Sequence, residues 1–348
     1  MNPFTLLRNS LLFRGVWPFR PWMEDLQADP GWAEFRAFFE QSLDWPDDNL
    51  VHLTAVDGTR LALRAFLPAG EPQGVVVMTH ALTLNGKFYR QFGGALAEAG
   101  LAAFLLDLRG HGRSAGRAGD CPAPHLLKAD LALVHTTLQA LYPGRPVSWI
   151  GHSVGAMLGW KMLSETNVRP AAFVSIGAGP IRATIWRALR TGRVIMWPAW
   201  HRLLREGLGP WARFIRVLVP RELRRSYEFV LDYTPRFFLA ALPWRLDPRR
   251  ISPRVPILAV IGQQDQGYDP AVVGDFVAEL PGQVDLQIHD DADHLNILRQ
   301  AGPAIIRWLQ QAGRGAGGKS VSVARHTGPL ARPAATEQES GAGRGRRA

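Results

Sequence analysis

From residue 49 onward the hydrophobic pattern is that of a sheet. Val51, Leu53 and Ala55 alternate with polar residues up to Asp57-Gly58, and Leu61, Leu63, Ala65 and Leu67 alternate beyond it. Period two on both sides of an Asp-Gly pair predicts an antiparallel hairpin. The pattern then changes. Short, mainly apolar runs at 74–78, 101–106, 147–150, 171–176, 256–261 and 284–288 are separated by stretches of helical character at 88–99, 123–141, 154–164, 270–280 and 296–311. A run with little or no polar interruption suits a strand buried on both faces. Such strands alternating with helices predict an α/β domain, a mostly parallel sheet flanked by helices.

The alternation stops between Pro180 and Pro253. Residues 181–253 are rich in Arg and carry Trp186, Trp197, Trp200, Trp211 and Trp244. They read as a helical cap inserted between two strands, which leaves 49–180 and 254–311 as the core. Residues 1–48 are aromatic and Pro-rich and read as an N-terminal packing extension. A helix is expected there over 30–42, with Asp29 as its cap and Phe35, Phe38 and Phe39 on one face. Residues 312–348 are dominated by Gly, Ala, Arg and Pro and are expected to form a disordered basic tail.

The formal charge is +10 over 348 residues, and its distribution matters more than its size. The tail holds seven Lys or Arg against two Glu, and the segment 181–254 holds sixteen Arg against five acids. The remaining core is therefore acidic. The Arg bias accompanies heavy Ala, Gly and Pro usage, so the high isoelectric point is no sign of nucleic acid, and no nucleic-acid partner is expected. The single cysteine, Cys121, excludes an internal disulfide and a Cys-based metal cluster. No stretch reaches the ~18 uninterrupted apolar residues of a spanning helix, and the start has no secretory pattern, so a cytoplasmic location is expected.

Gly151-His152-Ser153-Val154-Gly155 carries the strongest chemical signal. It follows the apolar run 147–150 and precedes a helical stretch, the setting in which G-x-S-x-G forms a nucleophile elbow. A serine at a sharp strand-to-helix turn is lifted clear of the sheet, and glycines two residues either side let helix and strand approach. The N–H of Val154 then lies at a helix N-terminus, where it can serve an oxyanion. A serine needs a base. Asp265 follows the run 256–261, and His294 follows 284–288 within Asp290-Asp291-Ala292-Asp293-His294. Both fall at C-terminal ends of expected strands, where open α/β sheets bind ligands. Asp265 is preferred as the partner of His294, with Asp269, Asp290, Asp291 and Asp293 as competitors. Thr79-His80-Ala81-Leu82 closes another strand and offers a second oxyanion donor, the N–H of Leu82. His80 is expected to shape backbone. The Gly-rich loop Asp107-Leu108-Arg109-Gly110-His111-Gly112-Arg113-Ser114 lacks phosphate-loop spacing and reads as structural, bordering the active site.

Together, His80-Ala81, the Asp107–Ser114 loop, the 151–155 elbow, Asp265 and His294 stand in an order that resembles the α/β-hydrolase superfamily. The chain is most similar to its monoacylglycerol lipase and lysophospholipase-like branch, over about residues 50–310. It departs from that branch at Ala81, where glycine is usual. The resemblance implies the α/β-hydrolase fold and hydrolysis of a small acyl ester through an acyl-enzyme on Ser153, with no cofactor or metal. The Trp, Phe and Leu of the cap suggest an apolar acyl pocket. Contact of the cap with a membrane surface is the lesser reading, since its aromatics are expected to pack on the core. A catalytically silent binding module of the same fold is the alternative function.

Overall fold

The structure is a computed structural model that describes residues 20–21, 41, 45–191, 193–194, 196–207, 209–217, 229–244, 246–312 and 321–326. The helix expected over 30–42 lies outside them, apart from residue 41. Nine strands form the main sheet: β1 (Leu50–Thr54), β2 (Arg60–Phe66), β3 (Gly74–Thr79), β4 (Leu101–Asp107), β5 (Val147–His152), β6 (Phe173–Ile176), β7 (Ile257–Gly262), β8 (Val284–His289) and β9 (Val321–His326). Their spatial order is β9-β8-β7-β6-β5-β3-β4-β2-β1. The β1–β2 and β2–β4 pairings are antiparallel, and every other pairing is parallel. This is the α/β-hydrolase architecture. The mainly apolar strands β3, β4, β5 and β7 are buried at every residue.

Helices α1 (Arg90–Glu98), α2 (Leu126–Leu141), α3 (Val154–Glu165), α4 (Ile181–Thr191), α5 (Trp200–Glu206), α6 (Pro235–Ala241), α7 (Pro270–Ala278) and α8 (Ile297–Ala312) surround or cap the sheet. Helices α1 and α8 pack together, with Phe92 against Gly302. Helices α2, α3 and α6 pack on one another, and Trp160 of α3 meets Phe276 of α7 edge-on. Local chemistry sets several helix starts. Thr234 caps α6 by accepting from the Phe237 N–H, Asp269 caps α7 through Ala271, and each cap is followed by Pro at the first helical turn.

Three expectations need correction. The inserted segment is not wholly helical: residues Met196–Pro198, Ile215–Val217 and Asp232–Tyr233 form a small antiparallel sheet. These strands are too short to show a period, and side chains hold them, as Asp232 accepts from both Arg202 and Arg216. Nor do the aromatics of the inserted segment all pack inward, since Trp186, Trp211 and Trp244 are exposed. The tail is not disordered throughout: β9 pairs parallel with β8 from Val284–Val321 to His289–His326. Val321 and Val323 alternate with polar neighbours, a short period-two signal set among Gly and Arg, and β8 would otherwise present an open edge. The rest of the tail lies outside the described residues. Among the described residues no helix is long and apolar enough to cross a membrane.

Candidate active site

Strand order reverses between β3 and β5: from β3 the chain moves to β4 on one side, and from β5 it moves through β6, β7 and β8 on the other. Loops leaving neighbouring strands in opposite directions open a crevice at their C-terminal ends. Thr79, the last residue of β3, lies in register with Gly151 of β5. The two loops expected to supply oxyanion donors therefore emerge side by side.

Ser153 follows β5 and immediately precedes α3. Its φ of 54° and ψ of −116° lie outside the regions an L-residue normally occupies. The strain is held from both sides, because the Ser153 N–H donates to Ile176 O at 2.8 Å and Ser153 O accepts from Met157 at 3.0 Å. The flanking glycines are required by space. A Cβ on Gly155 would stand 2.5 Å from Thr79 O and 2.7 Å from His80 O, and one on Gly151 would stand 2.6 Å from Gly155 O.

The structure brings Ser153, Asp265 and His294 together. His294 Nε2 is 3.0 Å from Ser153 Oγ, and His294 Nδ1 is 2.8 Å from Asp265 Oδ2. A carboxylate only accepts, so Nδ1 carries the proton and Nε2 is free to accept from the serine hydroxyl. Asp265 is aimed by its other oxygen, Oδ1, which accepts from the Gly267 and Tyr268 N–H groups at 2.8 Å each. Burial disfavours the imidazolium of His294, but Asp265 more than offsets it and lifts the pKa above 6.5. Gly177, at φ 54°, leaves room for the ring: a Cβ there would lie 3.2 Å from His294 Nδ1. Two competing acids are occupied elsewhere. Asp269 caps α7, and Asp293 Oδ1 accepts from the Leu295 and Asn296 N–H groups.

His152 does not face the serine. Its Nε2 donates to His294 O at 3.1 Å, so its Nδ1 accepts, and the Tyr89 hydroxyl stands 2.8 Å from it. That hydroxyl in turn accepts from the Ala81 N–H at 2.9 Å. Burial disfavours the cationic form of His152 and drives its pKa down to about 3. His80 shapes backbone as expected of it, donating from Nδ1 to Ala81 O and accepting from the Leu108 N–H at Nε2. Leu82 N–H has no acceptor among the described residues, whereas its neighbours do: Ala81 uses Tyr89, and Thr83 donates to the Tyr233 hydroxyl at 2.8 Å. Val154 begins α3 and has no intrahelical acceptor.

The Asp107–Ser114 loop is a buried scaffold. Asp107 accepts from Arg64 at 2.8 and 2.9 Å and from the Gly86 and Arg113 N–H groups. Arg109 grips Asp130 with two 2.6 Å bonds and Asp57 with a third at 2.8 Å. Half-buried apolar groups stand near the candidate site residues: Leu82 after His80-Ala81, Leu295 after His294, and Tyr268 stacked on His294 at 5.9 Å. Tyr89, Tyr233 and Tyr268 were not singled out in the sequence. Tyr268 had a weak signal, three residues beyond Asp265; Tyr233 had none.

Residues 70–228 match the sequence profile of a family described as serine aminopeptidase, S33. The chain is 29% identical to the monoglyceride lipase of Homo sapiens over 148 residues, 41% of this chain and 49% of that protein. It is 30% identical to the monoacylglycerol lipase of Mycolicibacterium smegmatis over 100 residues, 29% of this chain and 36% of that one. The chain thus spans about half the length, or less, of the curated relatives it matches. Among solved structures it superposes on a carboxyl esterase from Bacillus coagulans with a TM-score of 0.59 at 16% identity, covering 76% of this chain and 98% of the esterase. A soluble variant of monoglyceride lipase from Saccharomyces cerevisiae, in complex with a substrate analogue, gives 0.59 at 17% identity, covering 78% and 96%.

Proposed function

From an α/β-hydrolase fold in a chain that resembles the monoacylglycerol lipase-like branch, we propose that this protein is a serine hydrolase that cleaves a carboxylic ester. The observation that carries the reading is the run of contacts Ser153–His294–Asp265, at 3.0 and 2.8 Å, on a strained strand-to-helix turn. In the forward step Ser153 Oγ attacks the ester carbonyl as its proton passes to His294 Nε2. Asp265 stabilises the resulting imidazolium, and the N–H groups of Val154 and Leu82 receive the developing oxyanion. Collapse expels the alcohol, which takes the proton from Nε2. Water, deprotonated by the same nitrogen, then releases the acid from Ser153.

The substrate is an apolar acyl ester. Its support is the half-buried apolar surface beside the reacting groups, Leu82, Tyr268 and Leu295, together with the esterase and lipase relatives. Segments 49–180 and 254–311 act as the catalytic core and 181–253 as the cap over it.

A fluorophosphonate probe with mass-spectrometric site identification tests the nucleophile. Labelling at Ser153 that disappears in Ser153→Ala is expected; folded protein that stays unlabelled would favour the binding-module reading. A panel of 4-nitrophenyl esters from acetyl to decanoyl tests the substrate. A rate that falls steadily with chain length would refute an apolar acyl pocket, and preferential cleavage of aminoacyl amides would refute the ester assignment.

A further inference from the structure

We propose that Tyr233, carried by the inserted segment, is a positioning residue that holds the oxyanion loop in its working conformation; this rests on the reading of Ser153 as an acyl-transfer nucleophile. Thr83, next to the Leu82 donor, has a φ of 74°. A β-branched residue pays for that left-handed conformation and keeps it only where its surroundings over-determine it. Here both of its main-chain polar groups are held by one stretch of the inserted segment. The Thr83 N–H donates to the Tyr233 hydroxyl at 2.8 Å, and Thr83 O accepts from the Val230 N–H at 3.1 Å. Tyr233 itself is fully buried.

The hydroxyl has a single orientation, and the geometry shows why. His111 Nδ1 lies 3.1 Å from Arg109 O, an acceptor, so Nδ1 carries the proton. His111 Nε2 is then an acceptor, 2.9 Å from the Tyr233 oxygen, and receives the phenolic proton. The lone pairs of that oxygen are left for Thr83. Tyr233 is in turn seated by the loop after β4. Its neighbour Thr234 donates to Gly119 O at 3.0 Å, and a Cβ on Gly119 would collide with Asp232 O. Thr234 Oγ1 also donates to buried Asp120 at 2.8 Å.

This gives the Arg109-Gly110-His111-Gly112 motif a task that its distance from the serine conceals. It presents His111 to Tyr233, Tyr233 fixes Thr83, and Thr83 turns the Leu82 N–H toward the crevice. Tyr89 performs the matching service on the other flank through Ala81. With both neighbouring amides bound to phenols, Leu82 is the amide of this turn left to bind an oxyanion. The inserted segment thereby sets the catalytic geometry directly, independently of any contact it makes with the acyl chain.

The test is Tyr233→Phe in the full chain, which keeps the ring packing against Phe237 and Phe238 and removes only the hydroxyl. Losing an oxyanion donor outright costs about 10²–10³ in rate, so a loosened donor is expected to lower kcat roughly tenfold with KM unchanged. Inhibition by a trifluoromethyl ketone, whose adduct with the serine places an oxyanion in the hole, is expected to weaken by a similar factor. Hydrogen exchange at the Thr83 amide should accelerate. Trp308→Phe, which removes a hydrogen bond to Asp285 far from the loop, controls for stability alone. Unchanged kcat and ketone affinity in Tyr233→Phe, beside a lowered Tm like that of the control, would make Tyr233 merely structural. Should the wild-type protein neither turn over esters nor react with the probe, the hydrolase reading falls; unchanged exchange at Thr83 would overturn the clamp by itself.

Discussion

Replacing Gly155 by alanine tests whether the elbow is set by space. A Cβ at that position would meet Thr79 O at 2.5 Å and His80 O at 2.7 Å, where ordinary contact begins at 3.4 Å, so the larger shortfall, 3.4 less 2.5, is about 0.9 Å. Both obstacles are main-chain carbonyls of β3 and the residue after it, and neither can rotate aside. Helix α3 must therefore back away from β3 and carry Ser153 with it. Overpacking of this kind costs about 1–3 kcal/mol of stability. A displacement of about 1 Å at a reacting atom is worth on the order of a hundredfold in rate. Gly94 is the matched control. It lies inside α1 with nothing within 4 Å of its would-be Cβ, so Gly94→Ala should stabilise by about 0.5–1 kcal/mol. Urea unfolding read beside the fluorophosphonate labelling rate separates the two effects. A Gly155→Ala protein that unfolds within about 0.5 kcal/mol of wild type and labels at a comparable rate would refute the steric account.

The base must be neutral to accept from Ser153, and Asp265 holds the His294 pKa above 6.5, so kcat/KM should rise through a limb centred above that value, and Asp265→Asn should move the limb down. By linkage His294 contributes stability that is full below 6.5 and is lost as pH rises through its folded pKa. His80, His111 and His152 have the opposite sign: burial depresses them to about 4, 3 and 3, so their contribution is present above 6.5 and is lost as pH falls toward those values. Urea midpoints should therefore drop between pH 7 and pH 4.5, and a flat profile would contradict the three neutral tautomers. Arg109→Lys cannot span Asp130 and Asp57 together and should cost about 2–5 kcal/mol in urea unfolding; a loss below about 1 kcal/mol would show the pair to be dispensable.

How far the fold was legible depended on how local its determinants are. Helix α3 was expected over 154–164 and spans Val154–Glu165, because an apolar strand, a glycine-flanked turn and a helical run adjoin in sequence. The central strands could be read for the same reason: a segment buried on both faces is apolar at most of its positions. Asp265 and His294 could be picked out because both sit just beyond the ends of such strands. Position after an apolar run already favours Asp265 among the five aspartates; the 2.8 Å contact of its Oδ2 with His294 Nδ1 is visible only in the structure. The small antiparallel sheet of the inserted segment escaped notice because two- and three-residue strands leave no periodicity. Tyr233 escaped for a different reason: its partner Thr83 is 150 positions away, and no local pattern marks a phenol destined for a distant amide.

That separation bears on how the protein acquires its competence. The Ser153–His294 contact closes over 141 residues and the Thr83–Tyr233 contact over 150, each spanning much or all of the inserted segment. Contacts so distant along the chain form late and slowly, because the entropy of closing the loop is lost before the bond rewards it. A refolding chain will regain its helices early, while Ser153 is still unpaired with His294. Reactivity toward a phosphonate is then a stricter gauge of the native state than circular dichroism, and it should recover last.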